Sequence, residues 1–214
     1  MAPAPVPTAE ASIPALYNGD RLAACEFLRR LEAMPHLKKA ELIDGIVFMG
    51  SPVSARHAEQ DSLLQLLLGT YANSVDGVAS ATNATLRLGP DDVIQPDLLL
   101  RRLPDAGGQC RVEPTGYFAG PPELVAEIAV TSASIDLHAK RDSCRRAGVR
   151  EYMVWDVSAK RIHWWALEED EYRPLPEEAG IVESRVFPGL RVATAAMAKG
   201  DGKKALAVLR AGLG

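Results

Sequence analysis

The sequence predicts a single α/β domain in which a mixed β-sheet is flanked by helices. The chain has 214 residues, 47% of them hydrophobic, enough for one sizeable core and too few for two large domains. Strand-like runs alternate with segments of helical period, the pattern of an α/β layer architecture. Some of those runs are joined by tight turns, which forces antiparallel pairing beside any parallel pairs and makes the sheet mixed.

Residues 1–19 read as a flexible Pro/Ala-rich lead, because they lack the basic start and apolar run of a signal peptide. Asp20 is placed to cap a helix carrying Leu22, Cys25, Leu28 and Leu31, closed by Pro35 and lying across the sheet. ELIDGIVFM predicts a β-hairpin over 39–50, with Asp44-Gly45 supplying the positive φ angles of its turn. Ser54 caps a buried leucine-rich helix running to about Ala72. ATLRL reads as a strand ended by Gly89-Pro90, and VIQPDLLL, ELVAEIAV, EYMVWDV and RIHWWAL read as further strands. The last two form a hairpin around Ser158-Ala159. A helix from about Ser134 to Ala147 ends at Gly148, and the proline- and glycine-rich segment 102–122 is expected to be a loop. The domain therefore runs from 20 to 195, with 196–214 a weak helix or tail interrupted by glycines.

Charge and cysteine content exclude some classes of protein. A formal net charge of -4 argues against a protein that coats nucleic acid through a bulk positive field, so any DNA contact must be local. Three cysteines without paired spacing suggest reduced thiols, hence a cytoplasmic location, and no run is apolar enough to span a membrane. Nucleophile-elbow, C-x-x-C and dinucleotide motifs are absent, and GDGKKAL has neither the first glycine nor the Ser/Thr of a phosphate loop.

The chemistry is expected at acids in apolar surroundings. In LVAEIAV the period of two puts Glu127 on a face with Val125 and Ala129. A buried carboxylate there must be paired, hydrogen-bonded or bound to a cation; the alternative is a strand with one wetted face. Asp97 follows Pro96, which marks an edge strand or a bulge that re-aims a side chain, although Pro-Asp is also a common turn pair. Two such acids on neighbouring strands form an oxygen cradle suited to magnesium or manganese. Lys140 can reach Glu127. The acid lies roughly 10 Å below the strand end at about 3.3 Å per residue, and a helix from Ser134 climbs about 9 Å by Lys140. A solvated lysine paired with Asp136 four residues earlier is the competing reading. Arg141, Arg145, Arg146 and Arg150 offer a basic stripe for a DNA backbone or, equally, a solvated helix face. Trp155, Trp164 and Trp165 could stack bases, but strand aromatics are more often core.

ELIDGIVFM, SPVSARH, LRLGPDDVIQPDLLL, ELVAEIAV, KRDSCRRAGVREYMVWD and FPGL occur in an order that resembles the Uma-type restriction-endonuclease family of the PD-(D/E)XK nuclease superfamily, over roughly residues 20–192. The resemblance implies a restriction-endonuclease-like fold for the domain. It implies Glu41, Asp97 and Glu127 as the acidic positions, with Asp97 and Glu127 binding magnesium or manganese. Lys140 would be the superfamily lysine displaced from strand to helix, since Ala129 stands where Glu-X-Lys would place it, and His57 would be an accessory group at the mouth. Read from the residues alone, Glu41 could equally face solvent, and a lone histidine in a first helical turn is more often structural. The implied activity is metal-dependent hydrolysis of DNA phosphodiester bonds, with DNA as partner and a homodimer as the assembly that restriction endonucleases often form. The alternatives are a non-catalytic DNA-binding or self-associating module that keeps the fold, and a hydrolase for a smaller phosphoester.

Overall fold

Asp44 and Gly45, with φ of 53° and 72°, close a hairpin between β1 (Ala40–Ile43) and β2 (Ile46–Met49), as their residue types require. This is a computed structural model, and the residues it describes are 12–214. Helix α1 (Ala24–Glu32) buries Ala24 and Phe27 with Leu42 and Val47 of the hairpin in a small cluster of their own. Asp20 does not cap α1. Ala23 holds the cap position without a side-chain bond, and Asp20 accepts the Tyr17 N–H at 3.0 Å, closing the turn before the helix. Of the expected flexible lead, residues 1–11 lie outside the described residues, and Leu16 is buried in the same cluster as α1.

The leucine-rich helix is α2 (Ala55–Ser74), and Ser54 Oγ accepts the His57 N–H at 3.2 Å at its start. The strands that follow are β3 (Val78–Thr82), β4 (Leu86–Arg87), β5 (Val93–Ile94), β6 (Leu98–Arg102), β7 (Arg111–Val112), β8 (Phe118–Ala119) and β9 (Leu124–Ala129). A π-helical turn, Ile135–Ala139, leads into α3 (Lys140–Ala147), which ends at Gly148 with φ 84°. Then come β10 (Glu151–Asp156), β11 (Arg161–Glu168), β12 (Glu171–Pro174), β13 (Glu177–Glu178), β14 (Ile181–Glu183), β15 (Arg191–Val192), α4 (Thr194–Met197) and α5 (Gly202–Leu213).

Three sheets replace the one that was expected. One has the order β2-β1-β5-β4-β8-β7, the central one β12-β11-β10-β9-β6-β3, and the third β13-β14-β15. The mixed character holds, with β9 parallel to β10 and β4 parallel to β8 among otherwise antiparallel pairs. The division falls within VIQPDLLL. Pro96 has no N–H to give a ladder, so the run breaks into β5 of the first sheet and β6 of the central one. Pro96 is therefore not on an edge strand, because β6 lies between β9 and β3, whereas beyond β3 the Asn83 N–H meets both the Pro96 and the Asp97 carbonyl, at 3.1 and 3.2 Å, the two-against-one pairing of a bulge. Strand β3, VASAT, escapes a sequence reading because Ala and Ser carry little strand preference. The expected loop 102–122 contributes two short strands to the first sheet.

Both faces of the central sheet are covered. On one, Leu98, Leu100, Leu124, Ala126 and Ile128 pack on Leu64, Leu67, Leu68 and Tyr71 of α2 and on Ala205 and Leu209 of α5. On the other, Leu99, Val125, Ala129, Tyr152 and Val154 pack with Cys144 of α3. All six residues of β9 are buried in consequence, so that strand has no wetted face. The three tryptophans are core residues as well. The C-terminal segment is a 12-residue helix capped by Asp201, whose Oδ1 accepts the Lys204 N–H at 3.0 Å. The expected interruption falls before it, where Gly200 with φ 72° separates α4 from α5, and the glycines of α5 itself cause no break. Gly202 opens the helix, and Gly212 lets its end meet Gly189, since a Cβ on Gly212 would fall 2.3 Å from the Gly189 carbonyl. Full burial of Leu209 alone contributes about 2 kcal/mol, so α5 belongs to the core. Among the described residues no helix is long and apolar enough to cross a membrane.

Candidate active site

Antiparallel pairing of β6 and β9 sets Leu98 opposite Ala126, and one step further along the same register Asp97 stands opposite Glu127. Directly opposed residues of an antiparallel pair project to the same face, here the α3 side. Both acids line one cavity of about 330 Å³, with Lys39, Glu41, His57 and Lys140 among its other walls. Glu41 comes from β1 and His57 from the first turn of α2. Lys140, the first residue of α3, arrives from the helix that returns over β9.

Lys140 is the central cation. Its side chain is 1% exposed, and its Nζ lies 2.7 Å from Glu41 Oε1, 2.8 Å from Glu127 Oε1 and 3.9 Å from Asp136 Oδ1. The expected pairing of Lys140 with Asp136 is present, but as the longest of three contacts in a buried cluster, not as a solvated helical pair. The π-turn carries Asp136 into that cluster, and Ser132 Oγ donates to its Oδ2. Glu41 Oε1 also accepts the Gln95 N–H at 2.7 Å. Asp97 is held from three sides: Oδ1 lies 3.0 Å from Lys39 Nζ, and Oδ2 accepts the Ile128 N–H at 2.8 Å and lies 3.4 Å from His57 Nε2.

These contacts set the charge states. Burial alone would raise the Asp97 carboxyl, yet the His57 hydrogen bond, the Lys39 and Lys140 ammoniums and the Ile128 N–H together hold it well below the usual carboxylate range. Burial raises Glu127; Lys140 opposes that shift while the Asp97 and Asp136 charges reinforce it. Burial would discharge Lys140, but Glu127, Glu41, Asp136 and Asp97 outweigh it and keep the ammonium charged. His57 is raised, first by its hydrogen bond to Asp97 and against partial burial. The imidazolium form therefore stabilises the fold fully below the ordinary value near 6.5, and that contribution is lost as pH rises through the folded value. NMR titration should accordingly give His57 a midpoint above the ordinary value that drops in Asp97→Asn; an unchanged midpoint would show that the two do not interact.

Lys39 and Asp61 are site residues that the sequence did not single out, and Asp136, expected only as a solvated partner of Lys140, lines the cavity with them. For Lys39 a signal existed: it lies two positions before Glu41, so strand alternation places both on one face. The arginine stripe does not assemble. Arg145 and Arg146 pair with Asp142, Arg146 also meets Asp44 at 3.4 Å and Asp92 at 3.6 Å, and Arg141 stacks over Trp165 at 5.1 Å. None of the three lines the cavity.

The residues present fit a hydrated divalent cation. Five acids, Glu41, Asp61, Asp97, Glu127 and Asp136, face Lys39, Lys140 and His57 across the cavity, an oxygen-rich lining of the kind that suits a hard cation. Although Glu127 Oε1 is close to Lys140, the contact is misdirected for a hydrogen bond, and this buried oxygen has no hydrogen-bond donor. Among the described residues no group of three or more His, Cys, Asp or Glu is placed to hold a metal ion, so an ion here would rest on one or two carboxylates and its own waters. The fit is thus to magnesium or manganese, which keep several waters and need only one or two carboxylates. The cavity has room for about ten waters.

A sequence profile of Uma2, described as "Putative restriction endonuclease", matches residues 25–196. A comparison with curated proteins gave no match. Among solved structures, one described as "a putative nuclease belonging to DUF820 from Anabaena variabilis ATCC 29413" superposes with a TM-score of 0.61 at 16% identity, covering 88% of this chain and 99% of that one. At that identity the likeness shows a shared fold.

Proposed function

The chain belongs to the Uma2 family, and from that membership we propose that it is a magnesium- or manganese-dependent endonuclease that hydrolyses DNA phosphodiester bonds in the cavity between Asp97 and Glu127. One observation carries the reading: two buried acids stand opposite each other on adjacent strands, with a buried lysine against one of them. Asp97 and Glu127 would hold the ion. When bound, such an ion polarises the phosphate and acidifies a water. Asp97 is suited to the task because it stays ionised despite burial. Lys140 keeps a fixed ammonium beside Glu127, available to the charge that grows on a phosphate during attack. Glu41 grips the same ammonium, so its role is to position Lys140. His57 orients Asp97 through Oδ2.

The competing reading, a non-catalytic DNA-binding or self-associating module, draws support from the net charge of -4 and from arginines consumed in internal contacts. Incubation with supercoiled plasmid in magnesium or manganese separates the two. The proposal expects nicking by the wild type and at least about a hundredfold less by Asp97→Asn, in the range for removal of one electrostatic contact to a transition state. Equal nicking by both proteins would remove this site from the reaction, and an inert, folded wild type would favour the module.

A further inference from the structure

We infer that Lys39 is a resident countercation on Asp97, which a divalent ion must displace to bind. The inference rests on the cation site just proposed. Three oxygens of the two acids differ in how firmly they are held. Asp97 Oδ2 is tied to a backbone donor, Ile128 N–H, that cannot move without breaking the β9 strand. Glu127 Oε1 is close to Lys140, which at 1% exposure is enclosed by three acids and has nowhere else to go. Asp97 Oδ1 is different, because its partner is a lysine whose side chain is 32% exposed.

Lys39 lies at the start of the β1 edge of the cavity, and its stem rests against Gly50, where a Cβ would come within 3.0 Å of Lys39 Cβ. The missing side chain lets the root of the lysine stem lie this close to the β2 end, and the freedom of motion resides in the outer methylenes and the partly exposed ammonium. Two ammoniums share one set of acids: burial and the Lys140 charge work against that of Lys39, and Asp97, Glu127 and Glu41 outweigh them and keep it charged. The arriving ion replaces one positive charge by two beside Asp97 and Glu127, so exchange improves the charge balance while the lysine head moves toward water. A long flexible lysine is suited to that motion because its ammonium is strongly hydrated.

Two consequences follow. Lys39 competes with the ion and weakens its binding, and once displaced it stands at the cavity wall as a free ammonium able to meet a phosphate. Calorimetric titration of manganese into the full chain tests the first. Lys39→Met should bind manganese about tenfold more tightly than wild type, equivalent to about 1.4 kcal/mol. Lys38→Met, which removes the same charge from an exposed neighbour, should leave affinity nearly unchanged. A second readout uses the wild type: acylation of Lys39 by an amine-reactive ester, followed by mass spectrometry, should quicken in saturating manganese. Equal affinities for wild type and Lys39→Met, equal gains in both methionine variants, or labelling of Lys39 indifferent to manganese would each overturn the inference. A wild type that takes up no manganese would instead fail the cation site itself, and this inference with it.

Discussion

Lys140→Met is expected to lower stability at neutral pH by about 3–5 kcal/mol, the cost of leaving a buried partner charge uncompensated. The variant keeps the length of the side chain but strands Glu41, Glu127 and Asp136 without their shared cation. Sign and pH dependence follow from Glu127, whose folded carboxyl is already raised by burial above its unfolded value near 4.5. Without Lys140 it rises further, so the folded variant binds a proton that the unfolded chain releases. Its deficit is therefore greatest above the folded value and shrinks as pH falls toward the unfolded one. Urea unfolding at neutral and mildly acidic pH measures both effects. Adding Glu127→Gln should recover part of the loss, because it removes one of the stranded charges. Strictly additive losses would mean that the two side chains do not share an ion pair.

Glu151→Ala should be nearly as damaging, by about 3–5 kcal/mol, although Glu151 plays no part in the proposed chemistry. Its carboxylate is fully buried at the start of β10 and accepts four hydrogen bonds: from Trp164 Nε1 at 3.1 Å, Ser184 Oγ at 2.8 Å, Arg185 N at 2.7 Å and Val186 N at 3.2 Å. It clasps the central sheet to the segment that joins β14 to β15. Alanine leaves Trp164 Nε1 and Ser184 Oγ buried without this acceptor and the partly buried Arg185 N–H without a partner, each at about 1–3 kcal/mol before relaxation, while the Val186 N–H keeps Ser184 Oγ. Denaturant midpoints should fall, while manganese affinity of the folded fraction stays as in wild type. A loss below about 1 kcal/mol would show that water replaces the carboxylate.

Much of the site was legible because local rules act where the chain has little freedom. Asp44-Gly45 demands its hairpin, the alternation of LVAEIAV fixes the face of Glu127, and strand and helix rises bring Lys140 back to it. The division into sheets was not legible, because a proline in an apolar run reads as an edge or a bulge until the partners of both halves are known. Lys39 falls inside the expected hairpin, but beyond its alternation with Glu41 nothing local marks it as a site residue until Asp97, far along the chain, is brought to 3.0 Å from it. The contacts of the arginines were legible only in part: Asp142, which pairs with Arg145 and Arg146, is local, whereas Asp44, Asp92 and the Asp170 carbonyl lie far away in the chain. Helix α5 looked weak because its glycines count against a helix in isolation, whereas its burial on α2 and β15 decides the matter.

The proposed chemistry requires Asp97 and Glu127 to share one divalent ion. Crystals soaked in manganese and measured at its absorption edge test this most directly. A single anomalous peak within coordination distance of an oxygen from each acid is the predicted result; no peak at saturating manganese, or one that reaches neither carboxylate, would contradict it.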